Sequence, residues 1–151
     1  MTGGSAHAGI SPALRPTLPA WAEMTPERIG HVERVATLVS AWAERMGVHD
    51  SERNRWLKAV WLHDALRDAS RETLGQWAAS SSGPIERWHG PAAAARAKAE
   101  GETDRGVLDA VRYHSLGLAE WDMVGRVLYC ADYLEPGRTF DVAARTELAA
   151  L

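Results

Sequence analysis

From Thr25 onward, apolar side chains recur every three to four positions, and no stretch alternates apolar and polar convincingly with strand period. The pattern predicts an all-α chain of about six to seven helices. Thr25-Pro26 has the form of an N-cap followed by proline at the first helical position. Ile29, Val32, Val35, Ala36, Val39, Ala43 and Met46 then share one face, and Gly47 closes the segment. A second helix is expected over about 51–66, with Leu57, Val60, Trp61 and Ala65 inward, and a shorter one over 70–79, before the Ser-Ser-Ser-Gly-Pro break at 80–84. Gly90-Pro91 opens an alanine-rich helix that ends near Gly101, and Thr103 caps another reaching His114. A further helix runs from about Asp122 to Glu135 and stops at Pro136-Gly137, and the last begins near Thr139. No internal repeat is visible.

Ahead of this pattern, residues 1–20 hold Gly3, Gly4, Gly9, Pro12, Pro16 and Pro19 with almost no large apolar side chains. Such a stretch buries too little surface to order itself, so residues 1–24 are expected to be a flexible tail and 25–151 one domain. His7 falls in that tail and carries no functional weight. A length of 151 residues suffices for one core without staples, and 46% hydrophobic and 25% charged residues are ordinary for a globular protein. The formal net charge of -3, with both signs interspersed, argues against a surface that coats nucleic acid. No run of eighteen apolar residues suggests a membrane span, and the amino terminus lacks the form of a secretory signal, so a cytoplasmic protein is expected. Cys130, the single cysteine, stands in Val-Leu-Tyr-Cys-Ala and is expected to be a small core residue.

The candidate chemistry lies in an ordered series: His31, the pair His63-Asp64, His89, His114 and Asp132. Imidazoles and carboxylates are the ligands that hold first-row divalent metals. Each of these residues stands beside large apolar neighbours, as a buried ligand must. A carboxylate can bridge two ions where an imidazole does not, which makes Asp64 the candidate bridge. Singly, each has a plainer reading. His31 could be an ordinary helical histidine, His89 a loop marker and His114 a helix C-terminal cation. His49 keeps a loop reading, and Asp50 and Asp122 read as N-caps.

The order His, His-Asp, His, His, Asp on a helical chain resembles the HD-domain metal-dependent phosphohydrolases. The strings around Gly30-His31-Val32, Trp61-Leu62-His63-Asp64, His89-Gly90-Pro91, Tyr113-His114-Ser115 and Ala131-Asp132-Tyr133-Leu134-Glu135-Pro136-Gly137-Arg138 are similar to the YqeK-type branch. Members of that branch are symmetrical bis(5′-nucleosyl)-tetraphosphatases with a di-iron centre, which split diadenosine tetraphosphate into two ADP. The resemblance implies an HD-type bundle holding two divalent metal ions. Iron is the first expectation, and manganese suits the same ligands. It places one ion on His31, His63, Asp64 and Asp132 and a second on Asp64, His89 and His114, with a water or hydroxide between them.

The resemblance also puts Arg138 beside the substrate phosphates and sets Arg67 where the family has a lysine, and His89 is a further candidate for contact with the substrate. Arginine can grip phosphate through two prongs but cannot act as a titrating donor. Trp88 is a candidate for stacking on an adenine ring, against ordinary packing. Trp42, Trp56 and Trp61 fit core or rim positions, and Arg96 and Lys98 fit a solvated face. The chain continues only briefly after Arg138, where the family generally adds helices. Either a second copy completes the core as a homodimer, or part of the substrate pocket is missing. Two other readings stay open: hydrolysis of another nucleotide, such as a nucleoside monophosphate or guanosine alarmone, and a regulatory module that binds nucleotide and metal without turnover.

Overall fold

Seven α-helices and one 3₁₀ turn, with no strand, make up residues 18–78, 83–139 and 141–150, which the computed structural model describes. The helices are α1 (Pro26–Met46), α2 (Asp50–His63), α3 (Arg71–Trp77), α4 (His89–Ala99), α5 (Arg105–Arg112), α6 (Met123–Leu134) and α7 (Val142–Ala150), and the 3₁₀ turn Ile85–Arg87 precedes α4. Residues 79–82, which include the start of the expected break at 80–84, lie outside the described residues.

α1 begins as its sequence predicts, with the Thr25 hydroxyl accepting the Arg28 N–H at 3.2 Å. It ends at Gly47, whose φ of 65° lets its N–H turn back to the Ala43 carbonyl. Two caps and one helix end differ from expectation. The N-cap of α2 is His49 rather than Asp50, Asp104 rather than Thr103 caps α5, and α2 stops at His63 instead of reaching Leu66. Beyond His63 the chain continues through tight turn bonds, Ala65 N–H to Leu62 O and Arg67 N–H to Asp64 O. Ala65 and Leu66 stay buried in that turn, so the apolar periodicity outlasts the helix.

α2 is the central element, packed against α1, α4, α5 and α6. Val32, Val35 and Val39 of α1 meet Trp56, Val60 and Trp61 of α2 in the main core, all essentially inaccessible to solvent. Each fully buried valine contributes about 1.5–3 kcal/mol relative to exposure. A smaller cluster of Leu66, Leu74, Ala78 and Ala92 joins α3 to α4.

Residues 18–24 pack, against the expectation of a tail as far as residue 24. Leu18, Trp21 and Met24 lie on the main core, and Glu23 N–H donates to Ala65 O at 2.7 Å. The apolar area of these side chains outweighs the glycine- and proline-rich character of what precedes them. Residues 1–17, including His7, lie outside the described residues. Two surface readings also change. Cys130 is exposed, because α6 turns it outward with Tyr129 and Tyr133. Arg96 is no freely solvated charge: its guanidinium lies 5.7 Å from the Trp21 ring and 4.9 Å from the Trp77 ring, pinning the N-terminal segment and α3 to α4.

Arg55 ties three helix starts together. Its guanidinium donates to Glu52 in the first turn of α2, to Asp104, the cap of α5, and to Asp122, the cap of α6. Replacing Arg55 by methionine is expected to destabilise the fold by about 1–2 kcal/mol at neutral pH, the side chain being partly exposed. Arg55 holds the Asp104 carboxyl below its ordinary pKa, so this contribution is complete above about pH 4 and fades as pH falls further. Thermal unfolding of both proteins should therefore show a Tm gap at pH 7 that narrows at pH 3.

Candidate metal centre

All six predicted ligands come from helix ends or their flanks. His31 lies in the early turns of α1 and Asp132 in the last turn of α6. His63 is the last residue of α2, Asp64 its C-cap, His89 the first residue of α4, and His114 follows the C-cap of α5.

Three of the histidines share one local device. The Nδ1 of His63, His89 and His114 donates to the carbonyl three residues earlier: Val60 at 2.6 Å, Glu86 at 3.0 Å and Val111 at 2.8 Å. These carbonyls stand where a helix or turn runs out of backbone partners, so an imidazole N–H is well placed to satisfy them. His31 uses a carboxylate instead, with Nδ1 donating to Glu135 Oε1 at 3.0 Å. Each bond places the ring proton on Nδ1 and leaves the Nε2 lone pair free to act as a ligand.

The four Nε2 atoms converge on Asp64. Its Oδ2 lies 3.6 Å from both His31 and His63 Nε2, and its Oδ1 lies 3.3 Å from His89 Nε2 and 3.5 Å from His114 Nε2. Asp132 Oδ1 completes the first group, at 2.9 Å from His31 Nε2 and 3.7 Å from His63 Nε2. Neighbouring ligands on an ion bound at about 2.1 Å stand roughly 3.0–3.5 Å apart, so both groups have the spacing of coordination shells. The hydrogen-bond inventory says the same. Nε2 of His31 and of His63 is buried and makes no hydrogen bond, and the lone-pair-bearing Nε2 atoms of His89 and His114 face each other at 3.0 Å. Only shared protons or cations reconcile such an arrangement, and the donor set of four imidazoles and two carboxylates fits divalent ions.

The electrostatics prepare the same outcome. Burial favours a neutral Asp64, but the adjoining His63, His114 and His89 outweigh it and hold its carboxyl well below the usual range. Burial likewise opposes a charged His63, yet Asp64 and Asp132 outweigh it and lift its pKa to about 9. His89 moves down, chiefly through burial, with the charges of His114 and Arg67 adding to it. The two carboxylates thus favour a positive charge beside them, and a divalent cation would take the place of the proton on His63.

Around the centre the predicted substrate residues separate. Arg138 donates to the Asp132 carbonyl at 2.9 Å and to Asp132 Oδ1 at 2.8 Å. It lines a cleft of about 430 Å³ with Arg28, Arg34, His31 and Glu135. Arg67 is not among the residues lining that cleft, and Trp88 packs on the smaller apolar cluster with its indole N–H bound to Gly83 O. Arg28 is the residue the sequence left unmarked: it looks like any charge in a first turn, yet its Nη1 lies 3.5 Å from Asp64 Oδ2. Glu135 stood out only as part of a motif, and its buried carboxylate proves to support His31.

Gly90 lets α4 meet the end of α5. A Cβ there would stand 2.9 Å from Val111 O, 3.0 Å from Arg112 O and 3.2 Å from His114 Cε1. Gly90→Ala is expected to cost about 1–3 kcal/mol by overpacking and to weaken metal binding at His114. Unfolding curves of the metal-free protein and metal titration would register the two effects separately.

Residues 28–137 match the family model of the HD domain. The chain belongs to the HD domain family. Two curated relatives carry the name symmetrical bis(5′-nucleosyl)-tetraphosphatase, one from Bacillus subtilis (strain 168) and one from Staphylococcus aureus (strain NCTC 8325 / PS 47). Each is 32% identical over 126 residues, covering 78% of this chain and 66% and 63% of the respective relatives. This HD domain chain thus spans about two thirds of the length of the relatives it matches. A crystal structure from Clostridium acetobutylicum, of a protein described as a predicted HD superfamily hydrolase involved in NAD metabolism, shares the fold. It superposes with a TM-score of 0.68 at 24% identity, covering 91% of this chain and 75% of that one. Among the described residues no helix is long and apolar enough to cross a membrane.

Proposed function

We propose that this HD domain is a two-metal phosphohydrolase that splits dinucleoside tetraphosphates symmetrically, releasing two nucleoside diphosphates. The observation that carries the reading is the convergence of four Nε2 atoms on the two oxygens of Asp64, one pair to each oxygen. His31, His63, Asp64 and Asp132 would hold one ion and Asp64, His89 and His114 the other, and iron or manganese suits this mixture of ligands. Bound there, such a pair supplies a nucleophile from water at neutral pH and charge to offset that of the phosphate oxygens.

The chain's own residues supply the rest. Asp64 fixes the spacing of the two groups. The Nδ1 hydrogen bonds hold each ring in the tautomer that leaves Nε2 unprotonated. Arg28, Arg34 and Arg138 line the cleft beside His31, three guanidiniums that match a chain of phosphates in charge and donor geometry. The choice of a tetraphosphate rests on the names of the two bacterial relatives.

Incubating manganese-loaded protein with diadenosine tetraphosphate and separating the products tests the substrate. ADP should be the sole nucleotide product. ATP plus AMP, or turnover confined to nucleoside monophosphates or guanosine alarmones, would replace this reading with another nucleotide hydrolase.

A further inference from the structure

The two ligand groups are supported differently. His63, His89 and His114 rest on backbone carbonyls, whereas His31 rests on the carboxylate of Glu135, which is 1% exposed. That carboxylate is itself fixed on its other oxygen by Arg34 Nε at 2.8 Å and by the Gly137 N–H at 2.6 Å. The turn from Glu135 to Arg138 also restrains Asp132, through the two bonds from Arg138. α7 secures the turn from behind: buried Arg145 donates to Glu135 O at 3.2 Å and to Arg138 O at 2.6 Å. His31, His63 and Asp132 belong to the first group alone, and two of these three, His31 and Asp132, are held by this bracket. Among the described residues no comparable bracket serves His89 or His114, and the second group offers three protein ligands against four.

We infer that the two ion sites are unequal, and that Glu135 is the positioning residue that makes the His31–His63–Asp64–Asp132 site the tight one, leaving the Asp64–His89–His114 site exchangeable. The inference rests on the two-metal reading above. A carboxylate behind a ligating imidazole orients the ring and strengthens it as a donor, and loss of such a partner typically weakens metal binding about 10–100-fold. A carbonyl orients the ring without adding a full negative charge. The second ion would therefore come and go while the first stays, so that divalent-ion supply could set the fraction of molecules carrying both.

Titration of metal-free protein with Mn²⁺, followed by electron paramagnetic resonance, tests this without any substrate. The unmodified protein should show two classes of site at least about tenfold apart in affinity. His89→Ala should delete the weaker class alone, and Glu135→Gln should weaken the tighter class by about 10–100-fold. Release into excess chelator gives a second measurement that does not depend on whether Glu135→Gln folds: one ion should leave quickly and one slowly, and the fast phase should vanish in His89→Ala. Two classes of equal affinity, loss of the slow phase in His89→Ala, or a Glu135→Gln effect on the weaker class would overturn the inference. Failure of Mn²⁺ to bind at all would instead contradict the two-metal reading itself.

Discussion

Replacing Asp64 by alanine is expected to remove both ions and hydrolysis together. Among the described residues, Asp64 is the one whose two oxygens face different pairs of histidines, so its loss takes a candidate ligand from each group. Activity should fall by more than about 10³-fold, beyond what losing a single electrostatic contact costs. The fold should survive, because Asp64 takes no part in either apolar cluster and its removal leaves both untouched. Metal analysis and circular dichroism of the same sample would separate the two effects. Asp64→Asn sharpens the test: it keeps the shape, so a variant that retained both ions would show that Asp64 does not bridge.

The second large effect is expected at Arg28. Its guanidinium lies 3.5 Å from Asp64 Oδ2 at the inner end of a cleft that Arg34 and Arg138 also line. A phosphate entering that cleft would exchange this long contact for charge-assisted hydrogen bonds worth about 1.5–3 kcal/mol. Arg28→Ala should accordingly raise KM for the tetraphosphate by about 10–100-fold, and Arg28→Lys should recover part of the loss by keeping the charge without the fork. An unchanged KM with altered metal affinity would assign Arg28 to tuning Asp64 rather than to gripping substrate.

How much of this was legible in the sequence depends on the kind of signal involved. α1 and α6 could be placed closely because their caps are written in residue types, Thr25-Pro26 with Gly47 in one and Asp122 with Pro136-Gly137 in the other. The end of α2 could not. Ala65 and Leu66 keep the helical spacing and are buried, but in turns rather than in the helix. The six candidate ligands were visible because imidazole and carboxylate in that order are uncommon, and the structure brings all six side chains together. Their supports were not visible. A bond from His114 to the carbonyl of Val111 leaves no trace in residue identity, since every residue has a carbonyl. Arg28 and Glu135 carry charges of the kind common on helix surfaces, and only the packing of α1 against the end of α2 and against α6 shows what they face. Trp88 shows the converse. Its position beside His89 suggested a base-stacking platform, and its ring is used to close the small cluster between α3 and α4.

Crystals grown with manganese and measured at the manganese absorption edge offer the most direct test of whether these side chains cage a pair of cations. Two anomalous peaks about 3.5–4 Å apart are expected, with Asp64 contributing one oxygen to each. A single peak, or peaks lying away from the four Nε2 atoms, would contradict the two-metal centre.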